Sequence, residues 1–309
     1  MTQDLKDKNF IEHAIRSCYS SWSESYYQDY YKSESAYPAV HVKIVHDELK
    51  KADAHNVIDA GCGPASVLRE LKGLDIERYG FDLTPEMVKE ARRVLSIQGL
   101  SENRIWEGNV LDIEAYRCAV NGTYDAAICF GVLPHIPENK DKTVLNHLAA
   151  SVRPGGRVLV EARNQLFALF TLNRYSRDFF CNVLINEQSL RKAGGIYAQE
   201  ALDTVFAEID QRFRLDLPPI RKGKTGEPGY DEILSRTHNP FELTALATEA
   251  GFADVEVLFY HYHCLPPMVE PLLPELFRKQ SIAIENTRDW RGYFMASAFV
   301  LSCCKAGLS

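Results

Sequence analysis

Two glycines that follow an apolar run and an aspartate are the first residues of this sequence that could do chemistry. The run ends at Asp59, and Gly61 and Gly63 come before a helical pattern. This order predicts a buried strand, a tight loop and a helix N-terminus. Glycine lets the main chain approach a bound molecule, and the first N–H groups of a helix are unpaired donors. The loop is therefore a predicted ligand site, although Ser66 stands at the third glycine of the G-x-G-x-x-G nucleotide fingerprint.

A second acidic residue stands at the spacing expected for a ribose contact. The stretch 77–81 predicts a second strand, and Asp82 follows it, 19 residues after Gly63. An acidic residue about 20 residues beyond a glycine loop accepts hydrogen bonds from ribose hydroxyls in nucleotide-binding folds. Asp82 therefore favours a nucleoside-containing ligand, with an ordinary turn residue as the alternative.

Histidines and a carboxylate follow three later predicted strands. His135 comes after the fourth strand, Glu161 ends the fifth, and His261 and His263 follow the sixth. Histidine is the usual general base near neutral pH, so these residues are candidates for removing a proton from an acceptor. The H-x-H pair with its neighbouring Cys264 could also bind a metal ion. We expect no metal site, because no third ligand stands at a recognisable spacing.

The elements that position these residues alternate regularly along the chain. Apolar runs separated by short helical patterns predict five strands up to residue 160, and such alternation predicts a doubly wound parallel sheet with its ligand at the carboxyl ends of the strands. The predicted strands cover the opening apolar run and residues 77–81, 104–106, 124–132 and 157–160.

Five ordered motifs resemble those of class I S-adenosylmethionine-dependent methyltransferases. They are VIDAGCGPAS, YGFDLTPEMV, EGNVLD, YDAAICFGVLPHIPE and LAASVRPGGRVLVEAR. The resemblance is close over residues 56–162 and looser over 240–302, and it implies an α/β Rossmann-like sheet of seven strands whose last strand runs antiparallel. A dehydrogenase would explain the first two motifs equally well, but not the Pro-Gly-Gly turn before the fifth strand.

The resemblance implies a set of residues that bind S-adenosylmethionine. Asp59 with its glycines would hold the methionine end, and Asp82 the ribose hydroxyls. Asn109 stands where many relatives have an aspartate that accepts from the adenine amino group, and an amide oxygen can accept that bond too. The complete predicted cofactor set is Asp59, Gly61, Gly63, Asp82, Leu83, Asn109, Val110, Phe130 and Gly131.

The acceptor side is predicted from the same strand ends. Methyl transfer to a hydroxyl benefits from a base, whereas an amine only needs to arrive unprotonated. The predicted catalytic residues are His135, His261 and Glu161, and the predicted substrate-binding residues are Tyr26, Tyr30, Arg163, Asn164 and His263. The segments WRGYFMASAFV and FALFTLNRYS are weakly similar to methyltransferases of bacterial surface-polysaccharide pathways. A sugar or nucleotide-linked sugar hydroxyl is thus the predicted acceptor; N-methylation of a small amine and a catalytically silent cofactor-binding protein are the alternatives.

Three segments are predicted in the chain. Residues 1–54 form a helical arm or lid whose tyrosines either pack on the domain or cover a ligand. Residues 55–164 and 239–309 form the cofactor-binding domain. Residues 165–238 exceed an ordinary connection and predict a helical insertion that caps the strand ends with the arm, or else a homodimer interface. The basic loop Arg221 to Gly226 resembles the end of a Walker A motif but lacks its first glycine, so it is either a solvated loop or a phosphate contact.

Composition narrows the partners and the compartment. The 309 residues include 35 Lys and Arg against 42 Asp and Glu, a net charge of -7, which argues against a nucleic-acid partner. The eight cysteines form no C-x-x-C pair and indicate reduced thiols. No secretory leader or membrane-spanning run is apparent, so we expect a cytoplasmic protein with a small-molecule acceptor.

Overall fold

The computed structural model describes residues 3–23, 26–28, 38–116, 122–218 and 233–307. Within these ranges no helix is long and apolar enough to cross a membrane. The strands are β1 Asn56–Ala60, β2 Glu77–Asp82, β3 Ile105–Glu107, β4 Tyr124–Cys129, β5 Val152–Arg163, β6 Phe252–Tyr262 and β7 Ala296–Lys305. The helices are α1 Gln3–Ser20, α2 Val40–Lys51, α3 Ser66–Glu70, α4 Pro85–Ile97, α5 Asp141–Ser151, α6 Ala168–Thr171, α7 Arg174–Asp178, α8 Glu187–Gly194, α9 Gln199–Asp210, α10 Pro240–Glu249, α11 Pro274–Ala283 and α12 Gly292–Met295.

The seven strands form one sheet in the order β3-β2-β1-β4-β5-β7-β6. The first five strands in the chain pair in parallel. Strand β7 lies between β5 and β6 and is antiparallel to both. The predicted α/β doubly wound sheet with an antiparallel last strand is therefore confirmed. Because β1 to β5 are parallel, their carboxyl ends meet at one edge of the sheet, where a ligand site forms in such folds.

The two most apolar strands, β1 and β4, lie in the middle of the sheet, where both faces are buried. Every residue of β4 except Asp125 is buried, and β1 is buried from Val57 to Ala60. Strands buried on both faces need near-continuous apolar sequence. Helix α4 covers one face of the sheet with its five buried residues, Met87, Val88, Ala91, Val94 and Leu95, which recur at helical spacing.

Several strand ends differ from the sequence prediction. Strand β4 ends at Cys129 rather than at residue 132, because the chain turns at Gly131, where φ is +68°. Strand β5 is longer than predicted at both ends. At its start, Val152 pairs with Tyr124 of β4 ahead of a register shift, and at its end Arg163 still pairs with β7.

The described part of the predicted insertion contains the helices α6 to α9, and its first elements lie against α12. The turn Gln165–Phe167 and α6 contact α12 near the start of β7. In α9, Phe206 is buried, whereas its apolar neighbour Val205 is 50% exposed. Among the described residues of the insertion, none lines the main cavity. Helix α1, which belongs to the predicted arm, lines the cavity. A cap formed by the insertion together with the arm stays a prediction, and the loop Arg221 to Gly226 lies outside the described residues.

Candidate functional site

A cavity of about 1130 Å³ lies at the carboxyl ends of the strands, beneath α1. Helix α1 lines it with Ile11, Glu12, Ile15 and Tyr19, which share one face of the helix. The cavity brings together fourteen of the predicted site residues, and Tyr30 lies outside the described ranges. The fourteen are Tyr26, Asp59, Gly61, Gly63, Asp82, Leu83, Asn109, Val110, Phe130, Gly131, His135, Glu161, Arg163 and His261.

Asp59 presents a buried carboxylate at the end of β1. Its side chain is 2% exposed, and its Oδ1 has no hydrogen-bond partner among the described residues. Burial, and then the charge of Asp82, raise its pKa to about 8. A buried acceptor atom of this kind fits a cationic group such as an ammonium, since the added positive charge would favour the ionised carboxylate.

The glycine loop is shaped by backbone conformations that other residues rarely adopt. Gly61 has a φ of +82°, and a Cβ atom there would come within 2.3 Å of Val132 Cγ2. Gly63 has a φ of +51° and open space around the position of its missing Cβ. Its amide donates to Asp82 Oδ2 at 2.9 Å. The loop therefore keeps the main chain close to the cavity and connects the ends of β1 and β2.

Asp82 is held in place by main-chain donors. Its Oδ1 accepts from the Thr84 amide at 2.8 Å, while Oδ2 accepts from Gly63. Burial raises its pKa, although these hydrogen bonds and the charge of Arg16 on α1 act in the opposite direction. Each carboxylate oxygen keeps further acceptor capacity, as a pair of ribose hydroxyls requires.

Asn109 joins the loop after β3 to the helix above it. Its Oδ1 accepts from the Leu111 amide at 2.9 Å, and its Nδ2 donates to Glu12 Oε1 at 2.9 Å. An amide can do both, whereas an aspartate here would oppose the Glu12 carboxylate. Asn109 therefore suits a site that α1 covers.

His135 is 5% exposed and uses both ring nitrogens. Nδ1 lies 2.7 Å from the Leu234 carbonyl oxygen, and Nε2 lies 2.7 Å from the Tyr19 hydroxyl. Burial lowers its pKa to about 4, with the Leu234 hydrogen bond opposing and the charge of Arg163 assisting. The ring is thus neutral at physiological pH. Since a carbonyl only accepts, Nδ1 carries the proton and Nε2 accepts from Tyr19.

Glu161 and two further histidines line the cavity beside β6. Glu161 Oε2 accepts from the Gly131 amide at 2.7 Å, and Oε1 accepts from the Tyr260 hydroxyl at 3.0 Å. The His41 ring lies 5.5 Å from that of Tyr260. Burial lowers the pKa of His41 and that of His261 to about 4, and for His41 the nearby His261 adds to the effect. His261 also has a φ of +63°, a strained conformation for this residue that such sites can retain.

Two predicted substrate residues do not line the cavity. Asn164 is 3% exposed, and its amide donates to the carbonyl oxygens of Gly292, Tyr293 and Ala296 at 2.8–3.2 Å, so it fastens α12 to the end of β5. The ring of His263 packs 4.7 Å from that of Phe167, behind His261. A role for Asn164 and His263 in binding a substrate therefore stays a prediction, and in this structure both side chains serve packing.

Among the cavity residues that the sequence reasoning missed are two with titratable side chains, His41 and Glu12. Both come from helices that precede β1, and Glu12 meets Asn109 across 97 positions of sequence. The residues next to His41 in the sequence do not indicate that its ring lines the cavity. In the described part of the chain, no group of three or more His, Cys, Asp or Glu side chains is arranged to hold a metal ion.

Comparison with known sequences agrees with this geometry. Residues 57–156 match the family model described as a methyltransferase domain. The chain is 27% identical over 128 residues to a ubiquinone biosynthesis O-methyltransferase of Xanthomonas oryzae pv. oryzae, which covers 41% of this chain and 51% of that protein. A protein of the same name from Xanthomonas axonopodis pv. citri is 26% identical over 145 residues, covering 47% and 58%. The chain thus spans only about half the length of the curated relatives it matches.

One solved structure shares the fold over nearly the whole chain, and a second is similar at a lower score. One, described as "Conversion of a Disulfide Bond into a Thioacetal Group during Echinomycin Biosynthesis", has a TM-score of 0.50 at 14% identity and covers 96% of this chain and 93% of its own. The magnesium protoporphyrin IX methyltransferase of Synechocystis PCC 6803 with bound SAH has a TM-score of 0.48 at 16% identity, covering 96% and 99%. The first of these likenesses supports the class I Rossmann-like fold.

Proposed function

We propose that this chain transfers a methyl group from S-adenosylmethionine to a hydroxyl of a small-molecule acceptor, because residues 57–156 match the model of a methyltransferase domain. One observation carries the proposal. The same cavity holds the Asp59 and Asp82 carboxylates at one part of its wall and a neutral histidine with an accepting Nε2 at another.

The cofactor fits the first part of the wall by its chemistry. The unpartnered Asp59 oxygen suits the ammonium of a methionine group, and Asp82 suits a ribose diol. Leu83, Asn109 and Val110 would border the adenine, and Phe130 and Gly131 would lie beneath the sulfonium. When bound, the cofactor supplies an electrophilic methyl group. Positioning an acceptor against that group accounts for much of the catalysis.

The residues near His135 provide the acceptor side. A hydroxyl in place of that of Tyr19 would donate to His135 Nε2, which would take its proton. Glu161 is held by Gly131 and Tyr260, and it would orient a second hydroxyl. His261 and Arg163 face the same space. We propose Tyr26 as a substrate contact for the same reason.

A sugar or nucleotide-linked sugar is the first acceptor class to test. Flat rings support it, because they pack against the face of a ring-shaped acceptor and carry polar edges. The rings that line the cavity are those of Tyr19, Tyr26, His41, Phe130, His135, Tyr260 and His261. A phenol belongs in the same panel, since it offers both a ring and a hydroxyl and the curated relatives are named O-methyltransferases.

The cytoplasmic location stays a prediction. It agrees with the described cysteines, which are all free thiols.

The test measures binding first and transfer second. S-adenosylmethionine should raise the melting temperature of the wild type and not that of Asp82→Ala, while the surface variant Asp216→Ala behaves as wild type. Isotope-labelled cofactor is then offered with sugars, nucleotide sugars, phenols and amines. Transfer to hydroxyls supports the proposal, and transfer to amines alone replaces it with N-methylation. Binding without any transfer would favour a silent cofactor-binding protein, and absence of binding contradicts the whole assignment.

A further inference from the structure

A short segment at the end of the insertion runs along the candidate active site. We call residues 233–238 the strap. Its backbone joins the end of β5, since the His238 amide donates to the Arg163 carbonyl oxygen at 2.8 Å and the Gln165 amide donates to that of His238 at 3.0 Å. On its other side, the Arg236 amide donates to the Pro134 carbonyl oxygen at 2.8 Å. The strap therefore bridges β5 and the loop after β4 that carries His135.

The Arg236 side chain anchors the strap to that loop. Its guanidinium donates to both carboxylate oxygens of Asp141, at 3.0 and 2.8 Å, and to the Ile136 carbonyl oxygen at 2.6 Å. Asp141 is 2% exposed and begins α5. Burial would raise the pKa of Asp141, but the contacts with His238 and Arg236 outweigh it and hold that pKa below its ordinary value. A bidentate arginine–carboxylate pair fixes direction as well as distance.

The strap places a carbonyl group against His135. The Leu234 oxygen lies 2.7 Å from Nδ1, two residues along the chain from Arg236. Because that oxygen only accepts, it selects the tautomer with the proton on Nδ1 and leaves the Nε2 lone pair toward the cavity. The strap also contacts the cavity residue Arg163, which donates to the Ser235 hydroxyl.

We propose that Arg236 is a positioning residue, which acts through Asp141 and the Leu234 carbonyl to keep His135 in the tautomer whose Nε2 accepts from the acceptor hydroxyl. This inference rests on the proposed methyl transfer to a hydroxyl. In that reaction the acceptor oxygen would use a lone pair for its new bond to the methyl carbon, while the bond from that carbon to the sulfonium sulfur would break and leave its electron pair on sulfur. The acceptor's proton would go to Nε2. The imidazole becomes a cation whose Nδ1–H still donates to Leu234, and the proton passes to water after the product leaves.

The direct test is the tautomer of His135, measured by NMR on protein labelled with ¹⁵N in its histidines and assigned with His135→Ala. In the wild type, Nδ1 should carry the proton and Nε2 should not. Arg236→Gln should shift His135 toward a mixture of both tautomers, and Arg236→Lys should restore part of the wild-type signal. Arg177→Gln is the matched control, because the Arg177 guanidinium also pairs with acidic side chains, those of Asp210 and Glu187, but inside the insertion.

Kinetics give the second readout. Arg236→Gln should lower kcat on the order of 10- to 100-fold, as expected for a misplaced catalytic group, while the KM for S-adenosylmethionine stays unchanged. If Arg236→Gln does not fold, Arg236→Lys carries both measurements. A folded variant with an unchanged tautomer overturns the inference, as does a wild-type Nε2 that carries the proton. A tautomer shift in a protein that transfers no methyl group supports the positioning and contradicts the proposed function instead.

Discussion

His135 is the residue whose removal separates acceptor chemistry from cofactor binding. His135→Ala should lower kcat by about 10² to 10⁴, the usual contribution of a positioned base, because the acceptor hydroxyl loses its proton acceptor. The dissociation constant for S-adenosylmethionine should stay within about twofold, since His135 contacts Tyr19 and Leu234 rather than the glycine loop. Steady-state kinetics with calorimetric binding checks this. His46→Ala is the control, because His46 contacts the Glu70 carbonyl oxygen and does not line the cavity. Full activity in His135→Ala would remove the base from the mechanism.

Asp59 should make cofactor binding depend on pH. Its pKa of about 8 means that the carboxyl is mostly protonated at pH 7. An ammonium favours the ionised form, so binding should release a proton, and affinity should rise with pH up to about 8 and then level off. Calorimetry at pH 7 in two buffers of different ionisation enthalpy measures the release directly. Asp59→Asn should bind more weakly and release none; equal enthalpies in both buffers for the wild type would contradict the assignment.

At the scale of elements, the hydrogen bond between Asn109 and Glu12 joins α1 to the loop after β3. Asn109→Asp sets a carboxylate opposite Glu12 Oε1, where the amide now donates at 2.9 Å, so α1 should be repelled. Affinity for S-adenosylmethionine should fall roughly tenfold, in line with the loss of a hydrogen bond to a charged group. The double variant Asn109→Asp with Glu12→Gln should recover most of it.

Calorimetric titration of the two single variants and the double variant completes a mutant cycle for this contact. Ser20→Ala serves as control, because it removes the hydrogen bond between α1 and Glu86 outside the cavity. If Asn109→Asp and the double variant bind equally well, α1 does not close over the cofactor through this pair.

Elements that follow local rules were predictable, and contacts between distant elements were not. The α/β sheet and the α4 face follow from apolar runs and helical spacing, which depend on neighbouring residues only. The glycine loop and Asp82 meet through such a repeated strand–loop–helix unit. By contrast, Tyr19 reaches His135 across 116 positions, and this contact depends on where α1 docks. Asn164 shows the converse: a polar residue at a strand end serves the packing of α12.

At the scale of the whole molecule, the insertion exposes large apolar side chains that support the predicted homodimer. Ile196 is 81% exposed and Tyr197 95% exposed, and a patch of this kind often marks an interface between copies. Light scattering after size exclusion should find a dimer for the wild type and a monomer for the double variant Ile196→Ser with Tyr197→Ser. Leu272→Ser, which removes a side chain that is 78% exposed outside the insertion, should stay dimeric. A monomeric wild type would contradict the proposal.

The buried histidines should make the stability of the whole fold fall in acid. Burial lowers the pKa of His41, His135 and His261 to about 4 and that of His263 to about 3, from an ordinary 6.5. Between pH 6.5 and 4 the unfolded chain therefore binds protons at four positions that the folded chain excludes, so the free energy of unfolding decreases as pH falls. Asp59 and Asp82 act in the opposite sense, because their pKa values are raised in the folded state. The four histidines outnumber the two aspartates, so we expect a net decrease in the free energy of unfolding in acid.

Melting curves at pH 7 and pH 5 measure this balance. The wild type should melt on the order of 5 °C lower at pH 5. His263→Phe is the informative variant, because that ring packs between Phe167 and Phe277 and does not line the cavity. It removes one excluded proton, so the difference between the two melting temperatures should shrink. An equal acid loss in His263→Phe and wild type would mean that the stability change comes from other groups, since a histidine that stays neutral in the folded state must contribute to it.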